Sequence, residues 1–160
     1  MIQIITDTHL DTDYPVFLAD NNYKTCTGCL SCWLRTPGKC ILGGDINSAI
    51  IASDHLIIVT HANFGSYSSP VKRVIDRTIP LVLPTFKTIN GDLHHQARYK
   101  KYPSIHVICY DVTLEEEKVL MNKMVLAHSI NLHAPMHALH YCKNKDLKAY
   151  LDKVIGGLNE

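Results

Sequence analysis

The sequence predicts an α/β fold, a mostly parallel sheet with helices on both faces. Two observations predict it. Short apolar, β-branched runs alternate along the chain with segments of helical period. One of those runs, His55–Thr60 ("HLIIVT"), is continuously apolar in its middle, as a strand covered on both faces has to be. The 160 residues contain neither an internal repeat nor a low-complexity linker, so the expectation is a single domain over residues 1–160. A chain of that size buries roughly two-thirds of its unfolded surface and needs no disulfide staples.

Taken in order, the first strand is Ile2–Thr6 ("IQIIT") and a shorter one is Val16–Leu18 ("VFL"). A helix follows in "INSAIIASD", with Ile46, Ala49 and Ile50 on one stripe and Asp45 as its N-cap. After the strand His55–Thr60, Ser69-Pro70 opens "SPVKRVIDR", since serine satisfies an orphan amide and proline fits the first helical position. The next strand is Ser104–Tyr110 ("SIHVICY"). Thr113 and Glu116 have capping-box spacing and start a helix reaching about His128. "SINLHAPMHA" alternates, with Ile130, Leu132, Ala134, Met136 and Ala138 against Asn131, His133, Pro135 and His137; period two predicts a final strand. "KDLKAYLDKVIGGL" closes as a helix ending at Gly156-Gly157.

Composition narrows the function classes. With 46% hydrophobic and 19% charged residues and a net charge of +1, the chain is neither disordered nor a general nucleic-acid-binding surface. No run reaches the ~18 apolar residues of a membrane-spanning helix, and "MIQIITDTHLDTD" lacks the basic start and apolar core of a secretory signal. The expectation is therefore a cytoplasmic protein with no membrane or nucleic-acid partner. In that reducing compartment, closely spaced cysteines serve as metal ligands or redox thiols more often than as disulfide partners.

Four of the six cysteines, Cys26, Cys29, Cys32 and Cys40, stand in "CTGCLSCWLRTPGKC" with C-x2-C-x2-C-x7-C spacing. That run, followed by "GDINSAIIASDHLIIVTHANFGSYSSPVKRVIDR", resembles the flavodoxin-like NAD(P)H-dependent FMN reductase and iron-sulfur flavoprotein superfamily. The likeness covers Cys26–Arg77 and is carried by the Cys-x-Gly-Cys start, Asp45, the Ser53-Asp54 pair, the loop after the strand and the Lys72…Asp76-Arg77 helix.

The resemblance implies a flavodoxin-like three-layer α/β/α sandwich with five parallel strands. It implies FMN at their carboxyl ends, electrons drawn from NAD(P)H or a ferredoxin-like donor, and a homodimer. The loop Thr60-His61-Ala62-Asn63-Phe64-Gly65 would lie beside the flavin ring, although relatives commonly read Ser/Thr-Pro-Val-Tyr-Phe-Gly there. The cysteine motif implies a 4Fe-4S cluster held by the four thiolates. Packing of the cysteines as small hydrophobes, zinc binding and thiol redox chemistry stay open beside it.

The chain departs from the superfamily at its start. Relatives place a Ser/Thr/Gly-rich phosphate loop and a helix between the first two strands. Here only the nine residues Asp7–Pro15 intervene, whereas a crossover through a helix takes about a dozen or more, so the first crossover helix is expected to be missing. Thr6 and Thr8 are the candidate remnant of the phosphate loop, with Asp7 and Asp11 beside them opposing a dianion. The alternative to a flavoprotein is therefore a degenerate flavodoxin-like protein that has lost FMN and acts as a binding or assembly module.

No residue stands out as a dedicated catalytic acid, base or nucleophile. His133 and His137, about 13 Å apart on a strand, are expected to face solvent rather than share an ion. "RYKKY", Arg98–Tyr102, is expected as a solvated loop, and His94-His95 lies in a long connection with no assigned chemistry.

Overall fold

The computed structural model describes residues 1–158. Its elements in chain order are β1 (Ile2–Thr6), β2 (Val16–Leu18), α1 (Ser31–Leu34), α2 (Asn47–Ala52), β3 (His55–Asn63), β4 (Ser66–Tyr67), α3 (Ser69–Asp76), β5 (Val82–Ile89), β6 (Asp92–Ala97), β7 (Ser104–Tyr110), α4 (Glu115–Asn131), β8 (His137–Cys142) and α5 (Leu147–Leu158). The central sheet runs β2-β1-β3-β7-β8, and each of these neighbouring pairs is parallel. With its five parallel strands numbered in sequence, this is the 2-1-3-4-5 order of a flavodoxin-like three-layer sandwich.

Alternation along the central strands builds two cores. Ile5, Leu56, Ile58, Ile105 and Val107 point to the face carrying α3 and α4, where they meet Val71, Val74, Met121 and Val125. Ile4, Ile57, Val59 and Ile108 point to the other face and meet Leu147, Leu151 and Ile155 of α5. Full burial of each such side chain is worth about 1.5–3 kcal/mol.

The nine-residue crossover between β1 and β2 contains no helix, as its length predicts. Leu10 and Tyr14 from it pack against the α5-side core in the helix's place, and Lys148 Nζ of α5 donates to the Asp11 carbonyl at 2.9 Å.

Several boundaries differ from the sequence expectation. Ile46, not Asp45, occupies the cap position of α2, but the Asp45 carboxylate accepts from the amides of Asn47 at 3.1 Å and Cys40 at 3.0 Å. Ser68, not Ser69, occupies the cap position of α3, and its side chain makes no capping hydrogen bond. At α4, Leu114 sits at the cap with no side-chain hydrogen bond, and the helix runs from Glu115 to Asn131 rather than from Thr113 to His128.

The segment expected as the final strand is the end of α4 and a turn. Ser129–Asn131 remain helical, His133 takes a left-handed φ of 53°, and the Ala134 amide returns to the Ser129 carbonyl at 2.9 Å. The strand itself, β8, starts at His137. The apparent period of two thus spans a helix end and a strand start, each burying its own apolar residues. α5 also continues through Gly156 and Gly157 instead of ending there. The long connection before β7 forms the antiparallel β5–β6 hairpin, and Arg98–Tyr102 is not fully solvated: the Tyr102 hydroxyl is buried, donating to the Leu81 carbonyl at 2.6 Å and accepting from the Arg98 amide at 2.8 Å.

Candidate functional site

The cysteine segment leaves the carboxyl end of β2 and lies along α3. Asp20 first tightens the turn by accepting from the amides of Asn22 and Tyr23. Two arginines of the α3 region then hold the segment by its carbonyls. Arg73 Nη1 donates to Asn21 at 2.8 Å and Tyr23 at 3.4 Å, and Arg77 donates to Lys24 and Gly43 on the two sides of the cysteine run. The Arg77 guanidinium also lies 4.4 Å from the centre of the Tyr23 ring.

Between these anchors the backbone turns through left-handed conformations at Gly28 and Leu30 before the short α1. Trp33 pins α1 to the hairpin. Its Nε1 donates to the Val82 carbonyl at 2.9 Å and its ring lies 5.0 Å from that of His95.

The outcome is a cavity of about 200 Å³ lined by all four cysteines together with Trp33, Arg77 and Ile79. All four are free thiols; Cys26 and Cys29 are exposed, Cys32 and Cys40 half-buried. The amide of Ser31, and then the hydroxyls of Ser31 and Thr27, donate to Cys29 and pull its thiol below the ordinary range. Burial pushes the Cys32 thiol up, and the neighbouring Cys40, Cys26 and Cys29 reinforce the shift. Among the described residues no three His, Cys, Asp or Glu side chains converge on a single-ion position. All four thiols line the one cavity, and in type and number they match the four-thiolate donor set of a 4Fe-4S cluster.

The carboxyl ends of β1 and β3 form the topological switch point, where a doubly wound sheet binds its ligand. The candidate phosphate residues there are turned toward each other. Thr6 Oγ1 donates to the Thr8 carbonyl at 3.0 Å and accepts from the Thr8 amide at 3.1 Å, a local turn that commits the Thr6 hydroxyl. Asp7 fills the space beyond. Its carboxylate accepts from the His61 amide at 3.0 Å, the Thr60 hydroxyl at 3.2 Å and the Tyr110 hydroxyl at 2.8 Å. Asp7 thus places a carboxylate at this edge that opposes a bound dianion and holds the Thr60, His61 and Tyr110 donors to itself.

The candidate ring loop is a hairpin. Ala62 pairs with Tyr67 and Asn63 with Ser66, leaving Phe64 (φ 51°) and Gly65 (φ 73°) as a two-residue turn. Thr60 and Ala62 are buried, His61 and Asn63 are exposed, and Phe64 stands 87% exposed at the tip. The hairpin precedes α3, whereas Arg77 and Ile79, on the cysteine cavity, follow it. α3 is about 12 Å long, yet a further cavity brings Thr25, next to Cys26, together with Asn63 and Ser66 of the hairpin. The four cysteines line one cavity and the hairpin contributes to another, with the start of the cysteine segment between them.

Sequence reasoning missed Asp7 and Tyr110 as partners. The available signal was their place directly after β1 and at the end of β7, both on the ligand-binding edge. Among the histidines, His133 Nε2 bonds the His95 carbonyl at 2.8 Å rather than facing solvent from a strand. His106, on the α5 side of β7, is buried and within 3.3 Å of His55. No helix among the described residues is long and apolar enough to cross a membrane. Comparison with family models, curated proteins and solved structures finds no match.

Proposed function

We propose that this chain is a cytoplasmic electron-transfer protein whose Cys26, Cys29, Cys32 and Cys40 hold a 4Fe-4S cluster. The observation that carries the proposal is the single cavity lined by all four free thiols. When bound, such a cluster supplies one-electron transfer at a potential set by charge, hydrogen bonds to sulfur and exposure. The protein's own contribution is to orient the thiolates. Ser31 and Thr27 stabilise Cys29 as an anion, Arg73 and Arg77 clamp the segment at both flanks, and Trp33 braces its far side against Val82. The exposed edge at Cys26 and Cys29 would meet a ferredoxin-like partner, and six free thiols suit a reducing compartment.

A second reading, an FMN-dependent oxidoreductase drawing on NAD(P)H and working as a homodimer, is favoured by the strand order and its switch point between β1 and β3. Its flavin would rest on Thr60–Gly65, with Thr6 and Thr8 as the candidate phosphate residues beside the opposing Asp7. The visible absorption spectrum of fresh, anaerobically prepared protein, with iron, sulfide and flavin assays, separates the readings. A broad charge-transfer band with equal iron and sulfide supports the cluster, whereas a structured flavin spectrum transfers the proposal to FMN. Colourless protein lacking iron, with no flavin-fluorescence quenching at high micromolar concentration, defeats both and leaves the binding or assembly module.

A further inference from the structure

The segment that carries the four cysteines is basic in a chain that is close to neutral. From Asn21 to Gly44 it contains Lys24, Arg35 and Lys39 and no aspartate or glutamate, against a net charge of +1 for the whole chain. The two carboxylates that flank it are turned to backbone amides: Asp20 accepts from Asn22 and Tyr23, and Asp45 from Cys40 and Asn47. All three cations are exposed. Among the described residues none of them pairs with a carboxylate, whereas Lys72, Lys118 and Lys148 elsewhere on the surface do.

The same cations stand close to the sulfurs. Lys24 is two residues from Cys26, Arg35 three from Cys32, and Lys39 adjoins Cys40, so even an extended chain keeps each within ~10 Å of a cysteine. Arg77, which lines the cavity, donates to the Lys24 and Gly43 carbonyls and so ties both ends of the segment to one place. The positive charge around the cavity is therefore directed to solvent and not spent on an internal partner.

Within that ring the surface is apolar. Leu30 and Ile41 line the cavity together with Cys26 and Cys29, yet they are 48% and 47% exposed, and Leu34 of α1 is 77% exposed. An apolar centre inside a charged rim is the anatomy of a protein–protein interface. A nucleic-acid site fits less well, because such sites neutralise about six to ten phosphates and this one offers three cations.

We propose that the mouth of the cysteine cavity is the docking surface for a small acidic electron-carrier protein. Its carboxylates meet Lys24, Arg35 and Lys39, and its apolar centre meets Leu30, Leu34 and Ile41. One electron leaves the reduced metal centre of the carrier and enters the cluster at the exposed Cys26 and Cys29 edge, with no bond made or broken and no proton moved. Opposite charge brings the two proteins together and orients them, and the unscreened apolar contact holds them.

This inference rests on the cysteines holding a redox centre, so the test reads binding and not electron transfer. The full chain, as isolated, is titrated by calorimetry with an acidic 2Fe-2S ferredoxin in which gallium replaces iron, a probe that docks but carries no electron. Affinity is expected to fall at least about tenfold between about 20 mM and about 0.2 M salt. The triple variant Lys24→Glu, Arg35→Glu, Lys39→Glu is expected to weaken binding at least about tenfold at the lower salt. Lys123→Glu, Lys145→Glu, Lys153→Glu alters the net charge equally on α4, before α5 and on α5, and is expected to change affinity by less than about threefold. Leu34→Ser is expected to weaken binding several-fold at both salt concentrations, since apolar contact is not screened. Affinity indifferent to salt, equal loss in the two triple variants, no binding at all, or tighter binding of a duplex oligonucleotide than of the ferredoxin would overturn the proposal. Iron and sulfide assayed on the same sample keep the two readings apart. Binding with these dependences in iron-free protein supports the docking surface and defeats the cluster, whereas an intact cluster without them does the reverse.

Discussion

Asp7 and Tyr110, 103 residues apart in the chain, meet at the carboxyl edge of the sheet, where the Tyr110 hydroxyl donates to Asp7 Oδ1 at 2.8 Å. The other carboxylate oxygen takes the Thr60 hydroxyl and the His61 amide. Three donors from two further strands thus converge on one internal anion, at the place where a related fold would hold a bound one. Burial, then the bond to Asp7 and its charge, pushes the Tyr110 phenol well above its ordinary range, so that it remains a donor.

Asp7→Asn replaces the carboxylate by an amide whose NH₂ group faces donors. Loss of about 1–3 kcal/mol of stability is expected. In urea unfolding, Asp11→Asn serves as the control and should stay within about 0.5 kcal/mol, because Asp11 is exposed. Equal effects of the two substitutions would mean that the Asp7 contacts are not a built feature.

Thiol reactivity should follow the local hydrogen bonds. Cys29 is exposed and its thiol is lowered by Ser31 and Thr27, whereas Cys32 is half-buried and raised. In cluster-free protein, timed alkylation read by mass spectrometry should modify Cys29 before Cys32 near neutral pH. Ser31→Ala removes the hydroxyl donor and should slow Cys29 several-fold while leaving Cys142 unchanged.

If the four thiols hold a cluster, replacing any one of Cys26, Cys29, Cys32 or Cys40 by serine should sharply lower bound iron. Cys142→Ser should not, since Cys142 sits at the end of β8, away from the cavity. Iron retained at full level in all four variants would count against cluster binding there.

Acid should destabilise the fold through two histidines. Burial, followed by the positive charge of His55 and His140, lowers His106 to about 4, and burial lowers His128 to about 4. The unfolded chain binds these protons near pH 6.5, before the native state does. The stabilisation is therefore complete above about pH 6.5 and is lost as pH falls toward about 4. Urea midpoints should report a loss on the order of 2 kcal/mol between about pH 7 and about pH 5, with a shallower slope in His106→Gln.

The Phe64-Gly65 turn combines two left-handed residues of unequal suitability. A Cβ on Gly65 would overlap the Leu120 side chain, so Gly65→Ala should cost about 2 kcal/mol or more from strain and overlap together. Phe64→Asn should instead stabilise by about 1 kcal/mol, because asparagine accepts this φ and the phenyl ring is solvent-exposed. Thermal unfolding of both variants gives the two signs directly.

How far the sequence carried depends on the element. β1, β2 and β7 lie where their apolar runs predicted; β1 and β7 do so because a strand inside a doubly wound sheet is apolar whatever its neighbours are, whereas β2 is a short edge strand. The β5–β6 hairpin was also written locally, in Asn90-Gly91, whose φ values of 52° and 94° suit a two-residue hairpin turn; the flanking polar residues concealed the strands. The misplaced last strand had a different cause. Leu132 is buried at the end of α4, and that burial reads like strand alternation when the helix boundary is unknown.

By itself, the sequence determined the α/β class, the missing first crossover helix and the dense cysteine run, since apolar period, loop length and residue spacing are local quantities. Only the tertiary structure decided that the four sulfurs line one cavity, and that Asp7 rather than an open loop occupies the switch point. Those two facts depend on carbonyls held by Arg73 and Arg77 and on hydrogen bonds joining β1, β3 and β7. Contacts between residues 34 to 103 positions apart are set by packing of the whole sheet, which no local pattern encodes.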